Sequence, residues 1–547
     1  MTAEKTKEKM TRRSYVKYVG GAVVVAAVAA AGYGIYESQP PAPVTPTATT
    51  AMTTAMTTAP VTYDYKTTFP MIPGATPKER GINGALMYLK AFPDLAGYTI
   101  TISHVPGVDA QLAQQYWKDF TDATGLKINA VTLDWADILT KYTAEAVEHS
   151  GAWDTLWFAP QHDLGTFVEK GVVMDPSAQP GTYYQRYQPE WMGEGPCPTI
   201  PAFVTGVEEY KGKVYGTVYD YDVATLNYNN KYFGDPVEQK NFKAKYGYDL
   251  AVPQTWKQFN DVGQFFTRPP KMFGTWVYVP PFWARNEYKL RLHSRGVDYF
   301  DENMVPQVDT PAAIEALKDM KWALDNIAPP ESKTAIYDVA YDFFAKGKVV
   351  MMMSWASLKK YCVSQGLGDE IRNALDPGYA TSDGRIRHSG HIYQTQMIAF
   401  NQYAKHPELA FAAITYFEDP EVSTKVICDP SGVLEPHRVC HFSAPCAQKS
   451  YGGSYYTDVM LENLSWLSPD YALNGALEYD DSLDRHVGAA LLGTETPEAA
   501  TKAMHDEWEA ITDRIGRDAQ IAVYRTFGPP DHKGFGAKLA PLMDPNL

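Results

Sequence analysis

The chain has 547 residues, enough for two or more domains with sizeable cores. Its net charge of −15 excludes a nucleic-acid-binding surface as its main business, and five cysteines in so long a chain exclude a disulfide scaffold. Aromatic residues make up 13%, a composition suited to stacking on flat apolar faces as well as to large cores.

Residues 1–17 carry Lys5, Lys7, Lys9, Arg12, Arg13 and Lys17, and residues 18–36 follow as an uncharged Ala, Val and Gly run of 19 residues. That asymmetry predicts a cytoplasmic leader with the remainder outside the cell, either anchored by the run or released by cleavage near Ala29–Ala31. Thr11-Arg12-Arg13-Ser14-Tyr15-Val16-Lys17 resembles a twin-arginine export signal. Residues 37–68, rich in Thr, Pro and Ala, cannot bury enough apolar surface to fold and read as a linker.

From residue 98 strands and helices alternate. Tyr98–Ser103, Leu126–Leu133 and Trp153–Phe158 read as strands. A helix capped by Asp109 presents Leu112, Tyr116 and Phe120, and a second runs Asp137–Ser150, closed by Gly151. This alternation implies a mostly parallel, doubly wound sheet, whose ligands sit beyond the carboxyl ends of the strands, near Trp157, Phe158, Gln161 and His162. Residues 175–209, rich in Pro, Gly and Tyr, read as a surface excursion. Lys211-Gly212 makes a turn, and a β-rich run to Tyr228 follows, over twice the usual strand length. Such a run suits a strand that leaves one domain, crosses a hinge at 219–223 and enters another.

Later signals agree with a second domain. Thr255-Trp256 and Thr310-Pro311 open helices. Tyr341–Trp355 is a helix, a glycine turn and a buried strand. His391–Phe400 reads as a second crossover, and a helix spans Pro407–Phe417. Thr496-Pro497 opens the last long helix, to Ile515, and the role of residues 516–547 is left open.

Several of these stretches carry a resemblance: Gly212-Lys213-Val214-Tyr215-Gly216 with Leu226-Asn227-Tyr228-Asn229, Pro253-Gln254-Thr255-Trp256, Gly347-Lys348 ahead of Met351 and Trp355, Pro436-His437-Arg438, and Gly493-Thr494-Glu495-Thr496-Pro497-Glu498-Ala499. In this order they resemble the family 1 extracellular solute-binding proteins of ABC importers, the maltose-binding group. Thr217–Tyr219 stand where that family usually has proline.

The resemblance implies a two-lobe, type II periplasmic-binding-protein-like α/β fold, each lobe a doubly wound, mostly parallel sheet, joined by two or three hinge crossovers. It implies lobe 1 from 69–220 and 395–440, and lobe 2 from 221–394 and 441–515. It also implies a small solute, expected to be a sugar, and permease subunits as partners, with no cofactor and no catalysis. The expected ligand contacts are Trp157, Phe158, Gln161, Tyr221, Asp222, Trp283, Trp355, Tyr393, Gln394 and Glu435. They combine aromatic faces for sugar C–H patches with carboxylates and amides for hydroxyls.

A glycoside hydrolase with paired cleft carboxylates is the competing reading. The Walker, zincin and nucleophile-elbow motifs are missing from the chain. Cys428, His437, Cys440, His441 and Cys446 have zinc-like side chains at a spacing that fits no common structural zinc pattern. Outside the cell, a disulfide among Cys428, Cys440 and Cys446 is the expectation.

Overall fold

Val, Thr and Tyr dominate residues 216–229, and β-branched and aromatic residues favour the pleated backbone. In the computed structural model these residues form one uninterrupted strand of 14 residues, on which the rest of the fold is hung. The structure describes residues 71–527, except 106–110, 179–181, 190–196, 200–206, 391, 430–431, 433, 468–469 and 471. The leader, the apolar run, the linker and Asp109 lie outside the described residues.

The strands are β1 (Thr99–His104), β2 (Lys127–Thr132), β3 (Thr155–Phe158), β4 (Glu209–Tyr210), β5 (Lys213–Val214), β6 (Gly216–Asn229), β7 (Met351–Trp355), β8 (Ile371–Ala374), β9 (Tyr379–Ala380), β10 (Ile386–Arg387) and β11 (Ile392–Phe400). A seven-stranded sheet runs in the order β2-β1-β3-β11-β6-β7, with β8 also on β6. The pairs β1–β2 and β1–β3 are parallel, whereas β11 is antiparallel to both β3 and β6.

From Gly216 to Val223, β6 pairs with β11; from Ala224 onward it pairs with β7 and β8. The change of partners falls between Val223 and Ala224, at the end of the stretch expected to be the hinge. The β6–β11 register is irregular at Ile392/Gln394 and at Gln396/Met397, the kind of fault that bends and twists a strand. In the second lobe β7 and β8 run the same way, and both are antiparallel to β6. The direction of β6 was set by the first lobe, so the crossover runs against its new neighbours.

Helix ends follow their sequence signals where a side chain can cap. Thr310 caps Pro311–Ile327, Thr496 caps Pro497–Ile515, and Thr255 with Gln258 forms a capping box on Trp256–Phe266. Two helix signals misled. The helix placed after Asp109 spans Gln114–Thr124, with Ala113 at its N-cap. The next spans Trp135–Glu148 and ends on His149 in the left-handed region (φ 52°), two residues before the expected glycine.

The stretch 175–209 is also more than a surface excursion. Its helix Tyr183–Tyr187 buries Tyr183, Arg186 and Tyr187, because Arg186 and Tyr187 bond Glu408 and Tyr183 stacks on Phe411 (4.9 Å), both on the helix Pro407–Phe417. Beyond residue 515, Arg517–Phe527 is a helix whose Tyr524 hydroxyl donates to the Phe300 carbonyl. Among the described residues no helix is long and apolar enough to cross a membrane.

Cys428 pairs with Cys446 (Cα–Cα 5.5 Å) and Cys440 with Cys197 (Cα–Cα 5.2 Å). Cys197 was not among the cysteines singled out from the sequence. The second pair joins residues 243 apart in the chain. Mass spectrometry of unreduced peptides should find both linkages, and free thiols at Cys428 or Cys440 would remove them.

The Arg186–Glu408 pair is bidentate, at 2.7 and 2.8 Å, and the Tyr187 hydroxyl adds a third bond to Glu408 at 2.7 Å. Both charged groups are buried, so removing one leaves the other uncompensated. Glu408→Ala should destabilise the protein by about 3–5 kcal/mol, read from the urea midpoint. A shift below about 1 kcal/mol would show that the pair is solvated.

Candidate functional site

Alternation along β6 puts Asp220 and Asp222, two residues apart, on one face of the strand just before it changes partners. Asp220 is buried and accepts three hydrogen bonds: from the Glu435 backbone N–H (2.7 Å), the Tyr221 N–H (2.9 Å) and Gln396 Nε2 (3.1 Å). The other end of the Gln396 amide accepts from Trp157 Nε1 at 2.8 Å. Glu435 is also buried, and its Oε1 accepts from the Ser357 N–H (2.6 Å) at the start of the helix Ser357–Ser364. Carboxylates are favoured at such helix starts. Asp222 is only partly buried and accepts a hydrogen bond from Trp355 at the end of β7.

Lys360 is the cation of this cluster, and its Nζ donates to the Leu434 (2.5 Å) and Ile427 (3.3 Å) carbonyls. Burial pushes Lys360 down to about 8. Burial pushes Asp220 up to about 7, against the pull of its backbone hydrogen bonds and Lys360. Asp222 and Glu435 are both held well above the usual carboxylate range, by burial first and then by Asp220.

Trp355 belongs to an aromatic wall in the second lobe. Its ring centroid lies 5.1 Å from Trp283, 5.8 Å from Tyr278 and 6.4 Å from Tyr337. Trp283 and Tyr337 keep surface exposed, so the wall has an accessible side. Phe282, beside Trp283, adopts φ 74°, a conformation rare for a bulky residue and a mark of functional loops.

Further along the lobe boundary, the helix Pro160–Glu169 meets Ala476–Leu492. His162 Nε2 lies 3.0 Å from Asp480, which also holds Lys289 (2.9 Å). Arg285 pairs with Asp484 (2.8 Å). Burial opposes the charge on Asp480, but Arg285 and Lys289 hold it well below the usual range, whereas burial pushes Asp163 up to about 8. Gly165 allows this contact: a methyl there would stand 2.4 Å from the Leu473 carbonyl carbon.

Of the expected contacts, Trp157 and Glu435 meet through Gln396 and Asp220, and Asp222 meets Trp355, which packs on Trp283. Phe158 lies in the first-lobe core against Phe167 (5.0 Å), because it points to the opposite face of β3 from Trp157. Tyr221 is likewise turned away from Asp220 and Asp222, into a small apolar cluster with Val218, Tyr451 and Tyr456. Gln161 is buried in the first turn of its helix with neither amide atom partnered. The side chains of Tyr393 and Gln394 lie outside the described residues.

Sequence reasoning missed Asp220, Gln396, Lys360, Tyr278 and Tyr337. The two-residue spacing Asp220-Tyr221-Asp222 was the available signal for the first. Lys360 comes from a helix whose start Glu435 reaches only through tertiary structure. Among the described residues, no group of three or more His, Cys, Asp or Glu side chains could hold a metal ion.

A long strand shared by two α/β lobes, with carboxylates at the crossing and an aromatic wall beyond it, defines a two-lobed binding protein. The model of the bacterial extracellular solute-binding protein family matches residues 115–425, more than half of the chain, and the protein belongs to that family. No curated protein matches the chain.

Solved structures share the type II periplasmic-binding fold. An ABC transporter solute-binding protein from Agrobacterium radiobacter K84, in complex with ribitol, superposes with a TM-score of 0.62 at 17% identity over 76% of this chain and 99% of its own. One from Thermotoga lettingae, bound with α-D-tagatose, gives 0.61 at 18% identity over 76% and 99%. Maltose-bound MalE3 of T. maritima gives 0.59 at 18% identity over 76% and 100%.

The raised Asp220 has a consequence for stability. Its folded value, about 7, lies above the ordinary 3.8, so the folded state binds the extra proton. Stability from this group is therefore present at low pH and lost as pH rises from about 4 to 7. The solute-free melting temperature should fall across that window, and Asp220→Asn should flatten the fall. An unchanged slope in the variant would show that Asp220 titrates normally.

Proposed function

We propose that the chain captures a carbohydrate or polyol between its lobes and delivers it to the permease of an ABC importer. The observation that carries this reading is the pairing of Asp222, on the strand leaving the first lobe, with the Trp355 wall of the second. A solute that stacks on Trp355 and Trp283, donates a hydroxyl to Asp222 and reaches a first-lobe group such as Glu435 touches both lobes only when they are closed. That contact would drive closure as a population shift. Neighbouring structures with bound ribitol, tagatose and maltose support a polyhydroxylated solute.

The lobes we propose are residues 69–220 with 395–440 and 221–394 with 441–515. We further propose that the leader exports the domain, and that the apolar run either tethers it or is cleaved. Replacing Arg12 and Arg13 by lysine should block export, and normal export of that double variant would exclude the twin-arginine route.

The binding test uses calorimetry, melting and sugar analysis on one sample. A panel of malto-, cello- and gluco-oligosaccharides and pentitols should contain a solute that raises the melting temperature with its concentration and shrinks the radius of gyration while staying intact. Trp355→Ala should cost about 1–3 kcal/mol of affinity, by analogy with stacking on bases. Asp222→Asn should cost about 1–3 kcal/mol through lost hydrogen bonds. Hydrolysis products that disappear in the Asp222 variant would replace this reading with a glycosidase.

A further inference from the structure

The second lobe carries a cavity that the interlobe reading leaves unused. Its volume is about 320 Å³, at the low end of the range for small-ligand sites. None of its lining residues belongs to the crossover cluster or to the Trp355 wall. Lys257, Asn260, Asp261 and Gln264 recur every one to three residues over two turns of the helix Trp256–Phe266 and line one of its sides. Asp319 and Trp322, three residues apart, line it from the helix Pro311–Ile327. Tyr379 of β9 completes the lining. The backbone fixes its place, since the Trp256 N–H donates to the Gly378 carbonyl at 3.1 Å.

The charges around this cavity are already matched. Lys257 pairs with Asp261 at 2.6 Å, and the Tyr248 hydroxyl donates to the same carboxylate at 2.9 Å. Arg295 pairs with Asp319 at 2.8 Å, and the Tyr379 hydroxyl donates to that carboxylate. Arg295 also lies over the Tyr379 ring, 3.8 Å from its centroid. A charged guest would disturb two settled pairs, whereas a neutral guest leaves both in place.

What the cavity lacks is a hydrogen-bond donor. Asn260 Oδ1 is buried without a partner in the protein. On the same side of the helix, Asp261 and Gln264 accept from Tyr248 and from Tyr246 (3.3 Å). A bare buried amide oxygen is costly, and a guest's hydroxyl removes that cost. Trp322 is half-buried: it packs on the core of the lobe and also lines the cavity. An accessible indole beside amides and carboxylates suits a sugar ring, whose C–H patch stacks while its hydroxyls bond the oxygens.

We propose that this cavity is a second saccharide site, separate from the interlobe cleft, which holds one neutral sugar residue against Trp322 with a hydroxyl on Asn260 Oδ1. The guest is a free sugar or the end of a longer glycan, since both present the same ring and hydroxyls. The site goes beyond the transport reading and does not rest on it.

The test is calorimetry on the full-length protein carrying Trp355→Ala, which weakens the cleft. The probes are D-glucose, D-galactose, maltose and cellobiose, with D-glucosamine and D-glucuronate as charged counterparts. At least one neutral probe should still bind in this background, and adding Trp322→Ala or Asn260→Ala should weaken it about ten-fold. Introduced alone, either change should leave binding in the cleft within about two-fold of the parent protein, as for independent sites. Asn260→Ala removes no hydrogen bond of the folded chain, so the melting temperature should hold and this variant carries the test if Trp322→Ala fails to fold.

Electrophoresis through gels containing soluble starch or a mixed-linkage β-glucan separates the two sources. Retardation that Asn260→Ala relieves assigns the site to a longer glycan, and unretarded migration with retained sugar binding assigns it to free sugars. Loss of all sugar binding in Trp355→Ala would overturn the second site and leave the cleft reading standing. Residual binding indifferent to Asn260→Ala, or tighter binding of the charged probes, would overturn it as well. Sugar binding that depends on Asn260 and is untouched by Trp355→Ala would keep the second site and remove the cleft.

Discussion

One backbone ladder constrains everything else in this protein. Between Val223 and Ala224, β6 exchanges its hydrogen-bond partners, from β11 on one side of the crossing to β7 and β8 on the other. A strand cannot leave backbone groups unpaired in a buried interior, so both lobes must bring a sheet edge to that point. The register faults, opposite Val218 to Asp220 and Asp222 to Val223, fall just before that point. The side chains that cluster there, Asp220, Asp222, Gln396 and Glu435, are placed by the ladder and by the loop that returns to it.

The interior of the second lobe is polar to a degree that its sequence conceals. The helix Ala284–Ser294 contains Arg285, Glu287, Lys289 and Arg291, and reads as a solvated helix, yet every one of its residues is buried. It persists because each charge has an answer. Arg291 bonds Glu287 at 2.6 Å and lies over the Trp256 ring at 3.9 Å, while Lys289 and Arg285 meet aspartates of the helix Ala476–Leu492 and the segment before it. Such networks contribute little net stability, but they penalise any arrangement that separates their members. That property holds the helix Ala284–Ser294 in one registry against the helix Ala476–Leu492.

Most of the architecture could be read from the chain because its signals are local. The length of the β6 run, the Thr-Pro helix starts at 310 and 496, and the buried strand ending in Trp355 each depend on neighbours a few residues away. The site was less readable. Trp157 and Phe158 are adjacent and chemically alike, and only the face of β3 that each occupies separates a bond to Gln396 from a place in the core. Tyr221 was misjudged for the same reason. Lys360 and Glu435 are 75 residues apart, and nothing near either announces the other. Helix ends failed where the backbone terminated on an unexpected residue, as at His149.

The first described helix, Pro77–Ala91, has a mechanical consequence. Its Gly81 brings it so close to the helix Pro407–Phe417 that a methyl would stand 2.6 Å from the Ala412 carbonyl oxygen. Lys78 bonds Asp419 and Asp119 on the same body, and Arg80 grips the Tyr187 and Gln188 carbonyls. The chain is thus riveted to the first lobe before it reaches β1. Force applied from the amino-terminal end is carried by that seam and never loads the crossover strand.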